Sequence, residues 1–224
     1  PIPDLPPPDD KNFRLARQPP MRQGKGMRTP WIAALVMVGL LIAFRVVGSL
    51  FPYDLPNFSP LPAFLLCSLI VFTGPKRWIF PLAIIAAWLL SNPIASWLQD
   101  GQAFAHPGPV ITAFLALLAT GLIALPLRGK TKALPMLAAG LGAALLFHTI
   151  TGVVAWIADP RYLKTLTGLQ QALWTGLPGD ALPTWAFLRN LAAANLTFTA
   201  LFLAAMPAWK RSSEINAPAV QPSR

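Results

Sequence analysis

Six apolar runs separated by short polar or basic gaps organise the chain. The stretches 31–44, 61–74, 110–127, 133–157 and 190–209 are essentially free of Asp, Glu, Lys and Arg. A hydrocarbon core of ~30 Å needs ~20 residues of helix. The pattern predicts spans over 31–51, 60–74, 78–97, 109–127, 134–157 and 184–209, the second of them short for that thickness. Proline punctuates the starts: Pro30, Pro60, Pro81, Pro109, Pro135 and Pro183 lie at or near a first turn. There the missing N–H would have been unpaired anyway. Ser59, just before Pro60, has the chemistry of an N-cap. The predicted fold class is an all-α polytopic membrane helical bundle of about six transmembrane helices. A β-barrel would show strands of ~10 residues with alternating polarity instead.

Composition agrees with lipid as the solvent. Hydrophobic residues make up 54% of the chain and charged residues 12%, where soluble domains sit near ~25% charged. A water-facing helix needs charge on its outer face, and these runs have none to offer. Residues 1–29 form a proline-rich, basic segment that reads as a disordered tail, because it cannot bury enough apolar surface to offset its ordering entropy. No small-residue cleavage site follows the first apolar run, so 31–51 reads as a retained signal anchor. The domain organisation is then a tail over 1–29, a membrane domain over 30–209 and a short C-terminal tail over 210–224.

The formal charge of +10 is not a nucleic-acid stripe, because the cations sit in the gaps between apolar runs. Counted loop by loop, all but Arg45, Arg161, Lys164 and Arg189 of the 18 Lys and Arg fall on one side of a six-span chain. By the positive-inside rule that side is the cytoplasm, and both termini lie there. The outer segments 52–59, 98–108 and 158–183 carry most of the loop polarity, including Asp54, Asn57, Asp100, His106, Asp159 and Asp180. In the last of them Leu163, Leu166, Leu169 and Leu173 recur at helical spacing. Both a short interfacial helix anchored by Trp174 and an ordinary packed loop fit that pattern.

Polar groups inside the spans are the best pointers to function, because the bilayer makes them expensive. Arg45 lies near the outer end of the first span, within ~9 Å at helical rise, and is expected to snorkel to the headgroups. Ser91-Asn92-Pro93 interrupts or ends the third span. His148 and Thr151 share a face of the fifth, and Asn195 and Thr199 share a face of the sixth. These two pairs are expected either to make a polar lining between helices or to hold the bundle together by interhelical hydrogen bonds. Gly39 and Ala43 make a small-xxx-small pair suited to docking another helix, within the chain or on a partner.

Enzyme motifs are missing: there is no HExxH, GxSxG, P-loop or dinucleotide fingerprint. Cys67 is the single cysteine, so no intramolecular disulfide forms, and no zinc pattern is present. No catalysis, metal or cofactor is expected.

One succession of features resembles a known family. Asn57-Phe58-Ser59-Pro60, Leu89-Leu90-Ser91-Asn92, His106-Pro107, Thr167-Gly168-Leu169, Gly176-Leu177-Pro178 and Asn195-Leu196-Thr197-Phe198-Thr199 occur in that order. The succession resembles an uncharacterised bacterial family of small six-helix integral membrane proteins. That family in turn looks like the substrate-binding S components of energy-coupling factor transporters. The resemblance implies a multi-pass protein of the bacterial inner membrane that captures a small metabolite from outside. It implies segment 52–59 as a cap, Asn57, Asn92, His148, Thr151, Asn195 and Thr199 as pocket residues, and Gly39 and Ala43 as the face that docks a coupling subunit. Acidic residues are usual in that family where Asn92 and Asn195 stand, and an asparagine where Gly152 stands. The departures argue against a cation or proton role.

Two functions follow as expectations. One is a small-metabolite uptake component that works among membrane lipids and other membrane subunits. The other is a structural or accessory subunit of a larger membrane complex. Nucleic acid is not an expected partner of either.

Overall fold

The computed structural model describes residues 28–51, 53–72, 77–104 and 107–215, with side chains described between 35 and 206. The tail up to residue 27, Lys76, His106 and residues 216–224 lie outside the described residues. The ordered elements are helical: α1 Arg28–Leu50, α2 Leu61–Val71, α3 Ile79–Asp100, α4 Pro107–Ala124, α5 Ala133–Ala158, α6 Leu166–Gln170 and α7 Thr184–Ile215. A 3₁₀ turn, Leu125–Leu127, extends α4, and a π turn, Gln171–Thr175, extends α6. No strand occurs among the described residues.

Apolar side chains face both ways. Leu41, Leu66, Ile84 and Leu117 are fully buried, while Leu90, Leu115, Leu122 and Leu134 project outward at 76%, 57%, 64% and 79% exposure. A helix apolar on its outer face is solvated by lipid rather than water. Four helices are long and apolar enough to cross a membrane: α3, α4 with its extension, α5 and the Thr184–Met206 part of α7.

The second predicted span is shorter in the structure, and protein rather than lipid surrounds it. α2 has only 11 residues, or ~16 Å at helical rise, and it is the centre of the bundle rather than a lipid-facing pass. It packs against α3, α4, α5 and α7, and every residue except Leu69 and Val71 is buried. A short helix end inside a bundle needs partners for its orphan backbone groups. Ser59 Oγ accepts from the Leu61 N–H at 3.3 Å, and the Gly129 N–H donates to the Ile70 carbonyl at 2.9 Å. Gly129, at φ 73°, thus ties the α4–α5 turn to the far end of α2.

α3 corrects a second expectation. It neither breaks nor ends at Pro93 but runs on to Asp100, where Gly101 at φ 68° stops it. α7 likewise continues beyond residue 209 to Ile215.

The shortness of α2 leaves room above it at one end of the bundle. The segments 53–60 and 159–183 lie at that cap end. At the opposite, basic end Trp78 is flanked by the guanidinium carbons of Arg77 and Arg128, 5.3 and 5.6 Å from its ring centre.

Candidate functional site

The space over α2 is a vestibule with three lobes that meet at Asn57. A lobe of about 270 Å³ reaches down to Arg45, Trp88 and Asn92. A second, of about 620 Å³, is bordered by His148, Thr151, Tyr162, Asp180 and Thr184. A third, of about 540 Å³, runs along α4 and α5 past Thr112, Phe147 and Asp159. Asn57 lines all three.

Local sequence explains that placement. Asn57 has φ 59°, the one non-glycine residue in the left-handed region among those described. Asparagine tolerates this region better than most L-residues. Its neighbour Phe58 pins the segment by joining Phe44, Phe64 and Phe198 in an aromatic cluster, with the Phe44 and Phe198 rings edge to face at 5.0 Å. Ser59 then starts α2. The cap segment is thus held from below by one ring and leaves its asparagine over the vestibule.

The floor of the first lobe is a pair that sequence reasoning missed. Arg45 does not snorkel to the headgroups: its guanidinium turns inward from α1 and donates to Asn92 Oδ1 on α3. The Asn92 amide donates in turn to the Trp88 carbonyl at 3.2 Å, which also accepts from Ser91 Oγ at 2.8 Å. Asn92 is therefore fixed by its own helix and offers its oxygen to the cation. Arg45 Nε is buried without a hydrogen-bond partner, and among the described residues no carboxylate pairs with Arg45. The signal in the sequence was an arginine inside an apolar run; nothing there revealed the inward rotamer.

The second lobe is organised by His148. Its Nε2 lies 2.9 Å from the Leu173 carbonyl in the π turn. A carbonyl only accepts, so Nε2 carries the proton in this contact. Thr184 Oγ1 donates to the Gln171 carbonyl at 3.1 Å, a second strap across the same turn. Gly152 allows this close approach, since a Cβ there would stand 3.2 Å from the Ala172 carbonyl. Thr151 lines the lobe while its hydroxyl bonds back to the Phe147 and His148 carbonyls of its own helix.

The lid over this lobe is ordered by its own contacts. Gly168, Ala172 and Gly176 face inward, while Leu163, Leu166 and Trp174 are exposed. Of the leucines at helical spacing, Leu163 and Leu166 are exposed while Leu169 and Leu173 are half-buried, and the small residues make the buried seam. Lys164 Nζ donates to the Trp156 and Asp159 carbonyls, and Trp156 Nε1 donates to the Leu163 carbonyl at 2.9 Å. Arg161 binds the Asp159 carboxylate through its side chain and its N–H. That guanidinium and backbone N–H hold the Asp159 carboxyl below its ordinary range, and Asp159 raises Arg161 in return. Burial, with nearby Asp180, pushes the Tyr162 phenol up.

Two expected pocket residues lie elsewhere. Asn195 and Thr199 are fully buried and line none of the three lobes. They pack deeper, where a Cβ on Gly140 would meet Thr199 Oγ1 at 3.0 Å. The Asn195 amide donates to the Leu191 carbonyl at 2.8 Å, and its Oδ1 has no partner. At the level of His148, α7 instead presents Thr184 and Phe187. The expected set is therefore split: Asn57, Asn92, His148 and Thr151 border the vestibule, and Asn195 and Thr199 form a separate seam with α5. Gly39 and Ala43 are exposed on α1. Among the described residues no cluster of His, Cys, Asp or Glu is arranged to hold a metal ion.

A family model described as a family of unknown function, DUF6580, matches residues 25–218. The chain belongs to that family. Among curated proteins and solved structures nothing matches it.

Proposed function

From a three-lobed vestibule over a half-buried arginine, in a chain of a family of unknown function, we propose that this chain captures a small metabolite for uptake. It is a six-pass protein of the bacterial inner membrane with both termini cytoplasmic and the cap end outward. α2 makes one of the passes inside a protein collar. The reading treats the chain as an S-component-like binding subunit with no catalysis of its own. The observation that carries it is the vestibule itself, with Asn57 lining all three lobes and the Arg45–Asn92 pair in the first. A bundle held together only by interhelical polar pairs would close this space. Here Arg45 Nε is left without a partner.

A coupling partner is part of the proposal. Gly39 has nothing within 4 Å of where a Cβ would stand, so with Ala43 it offers a smooth strip for another membrane helix. The same strip favours the second reading, an accessory subunit of a larger membrane complex.

Purification of the full chain in gentle detergent, followed by mass analysis of everything retained, separates the two. The uptake reading predicts a small metabolite near one-to-one and an ATPase-containing partner set. Stoichiometric retention in a large complex with no released metabolite would overturn it in favour of the accessory role.

A further inference from the structure

We infer that the first lobe takes a small carboxylate, an organic acid with an apolar body, whose anionic head sits on Arg45. The inference deepens the vestibule reading and rests on it. Arg45 keeps its charge in any protein environment, yet among the described residues its side-chain partner is the neutral Asn92 amide. Its Nε is buried and unpartnered, and among the described residues it has no ion pair. An uncompensated cation below a membrane surface is costly. An anion entering from the cap end removes that cost.

The geometry narrows the anion. A guanidinium presents N–H groups in a planar fork that a carboxylate matches with two parallel hydrogen bonds. One arm of the fork is held by Asn92, which orients the guanidinium at the edge of the lobe. Around this head the lining divides. Ser96 and Gln99 supply polar contacts, while Trp88 and Phe147 supply apolar faces. The volume of about 270 Å³ equals on the order of nine waters at ~30 Å³ each, which suits a small aromatic or branched aliphatic acid. The lining is drawn from α1, the segment carrying Asn57 and Ser59, α2, α3, α4, α5 and α7. A free acid fits a lobe built from so many elements better than a lipid headgroup, whose acyl chains must stay in the bilayer.

The test uses the full chain in lipid nanodiscs containing phosphatidylglycerol. It is incubated with an equimolar panel of small aliphatic and aromatic monocarboxylates, each accompanied by its primary amide. Retained molecules are identified by mass. The expected result is retention of one or more acids at least ~10-fold over the matching amides, a tenfold ratio being the scale of one charge-assisted hydrogen bond. Arg45→Gln lowers retention to the amide level, and Arg45→Lys, which keeps charge but loses the fork, falls between. Size-exclusion profiles matched to wild type show that the variants are folded, and Arg45→Lys carries the comparison if Arg45→Gln is not. Equal retention of acids and amides, or acid retention unchanged in folded Arg45→Gln, overturns the inference. Arg45-dependent retention of phosphatidylglycerol also overturns it and assigns the arginine to a lipid headgroup. A retained neutral molecule overturns the anion assignment and leaves the vestibule reading standing; retention of no small molecule overturns both.

Discussion

The Arg45 guanidinium on α1 donates to Asn92 Oδ1 on α3, and among the described residues no carboxylate shares that cation. Two helices are thereby joined by a contact that leaves a positive charge inside the bundle. Asn92→Asp would supply the missing anion in place. Charge-assisted hydrogen bonds are roughly twice as strong as neutral ones, a gain of about 1 kcal/mol. The variant is expected to melt ~2–4 °C higher in detergent and to lose any retained acid, because its own carboxylate fills the site. A thermal melt paired with mass analysis checks both. An unchanged or lower melting temperature with retention intact contradicts the role given to the pair.

Asn57 allows the backbone and the side chain to be separated. Its φ of 59° suits glycine, whereas alanine is strained there by roughly 1–2 kcal/mol. Asn57→Gly is expected to keep wild-type stability and weaken ligand retention several-fold, while Asn57→Ala lowers stability as well. Equal retention by wild type and Asn57→Gly would show that the amide contributes nothing to the vestibule.

The lid is sensitive at one glycine and tolerant at another. A Cβ on Gly168 would stand 1.9 Å from the Leu163 carbonyl oxygen, a backbone atom rather than the end of a flexible side chain. At Gly152 the nearest clash is with the flexible end of Leu173, at 2.7 Å. Gly168→Ala is therefore expected to unfold the 159–183 segment and expose Arg161 and Lys164 to trypsin. Gly152→Ala should cost about 1–2 kcal/mol and leave the segment resistant. Matching cleavage rates for the two variants would refute this distinction.

Acid loosens the same segment through Asp159. Its folded-state pKa is depressed by Arg161, so its contribution is present above the unfolded value of ~3.9. The contribution is lost as pH falls from there through the depressed value. Hydrogen exchange of the turn after α5 should follow the unpaired intrinsic trend without a step from pH 8 to ~5 and show added opening only below ~pH 4. Asp159→Asn should remove that added opening. A step near neutral pH would contradict the assignment.

Much of the bundle was legible because lipid imposes long apolar runs with punctuated ends. α3, α4, α5 and most of α7 follow directly from that constraint. α2 was harder: Leu61–Val71 is apolar throughout, and an apolar run reads alike whether lipid or protein surrounds it. The site was only partly legible. Periodicity placed His148 with Thr151 on one face, as found around the second lobe. It does not set the register between helices, so it leaves open whether Asn195 and Thr199 meet α5 near His148 or near Gly140, where they pack. Arg45 failed for a related reason, since an arginine two turns from a helix end reaches either the headgroups or a neighbouring helix. That choice depends on Asn92, a residue 47 positions away.

Accessibility of the lobe at Arg45 tests the central claim most directly. Ser96 lines that lobe on α3, and Cys67, buried in α2, can be replaced by serine. Ser96→Cys in that background should react with a membrane-impermeant thiol reagent added to intact cells, and a cysteine at Arg77 should react only after permeabilisation. That outcome places the vestibule open to the outside, as the uptake account requires. Reaction of the Arg77 cysteine in intact cells, with the Ser96 cysteine reached only after permeabilisation, would invert the protein in the membrane and contradict the account.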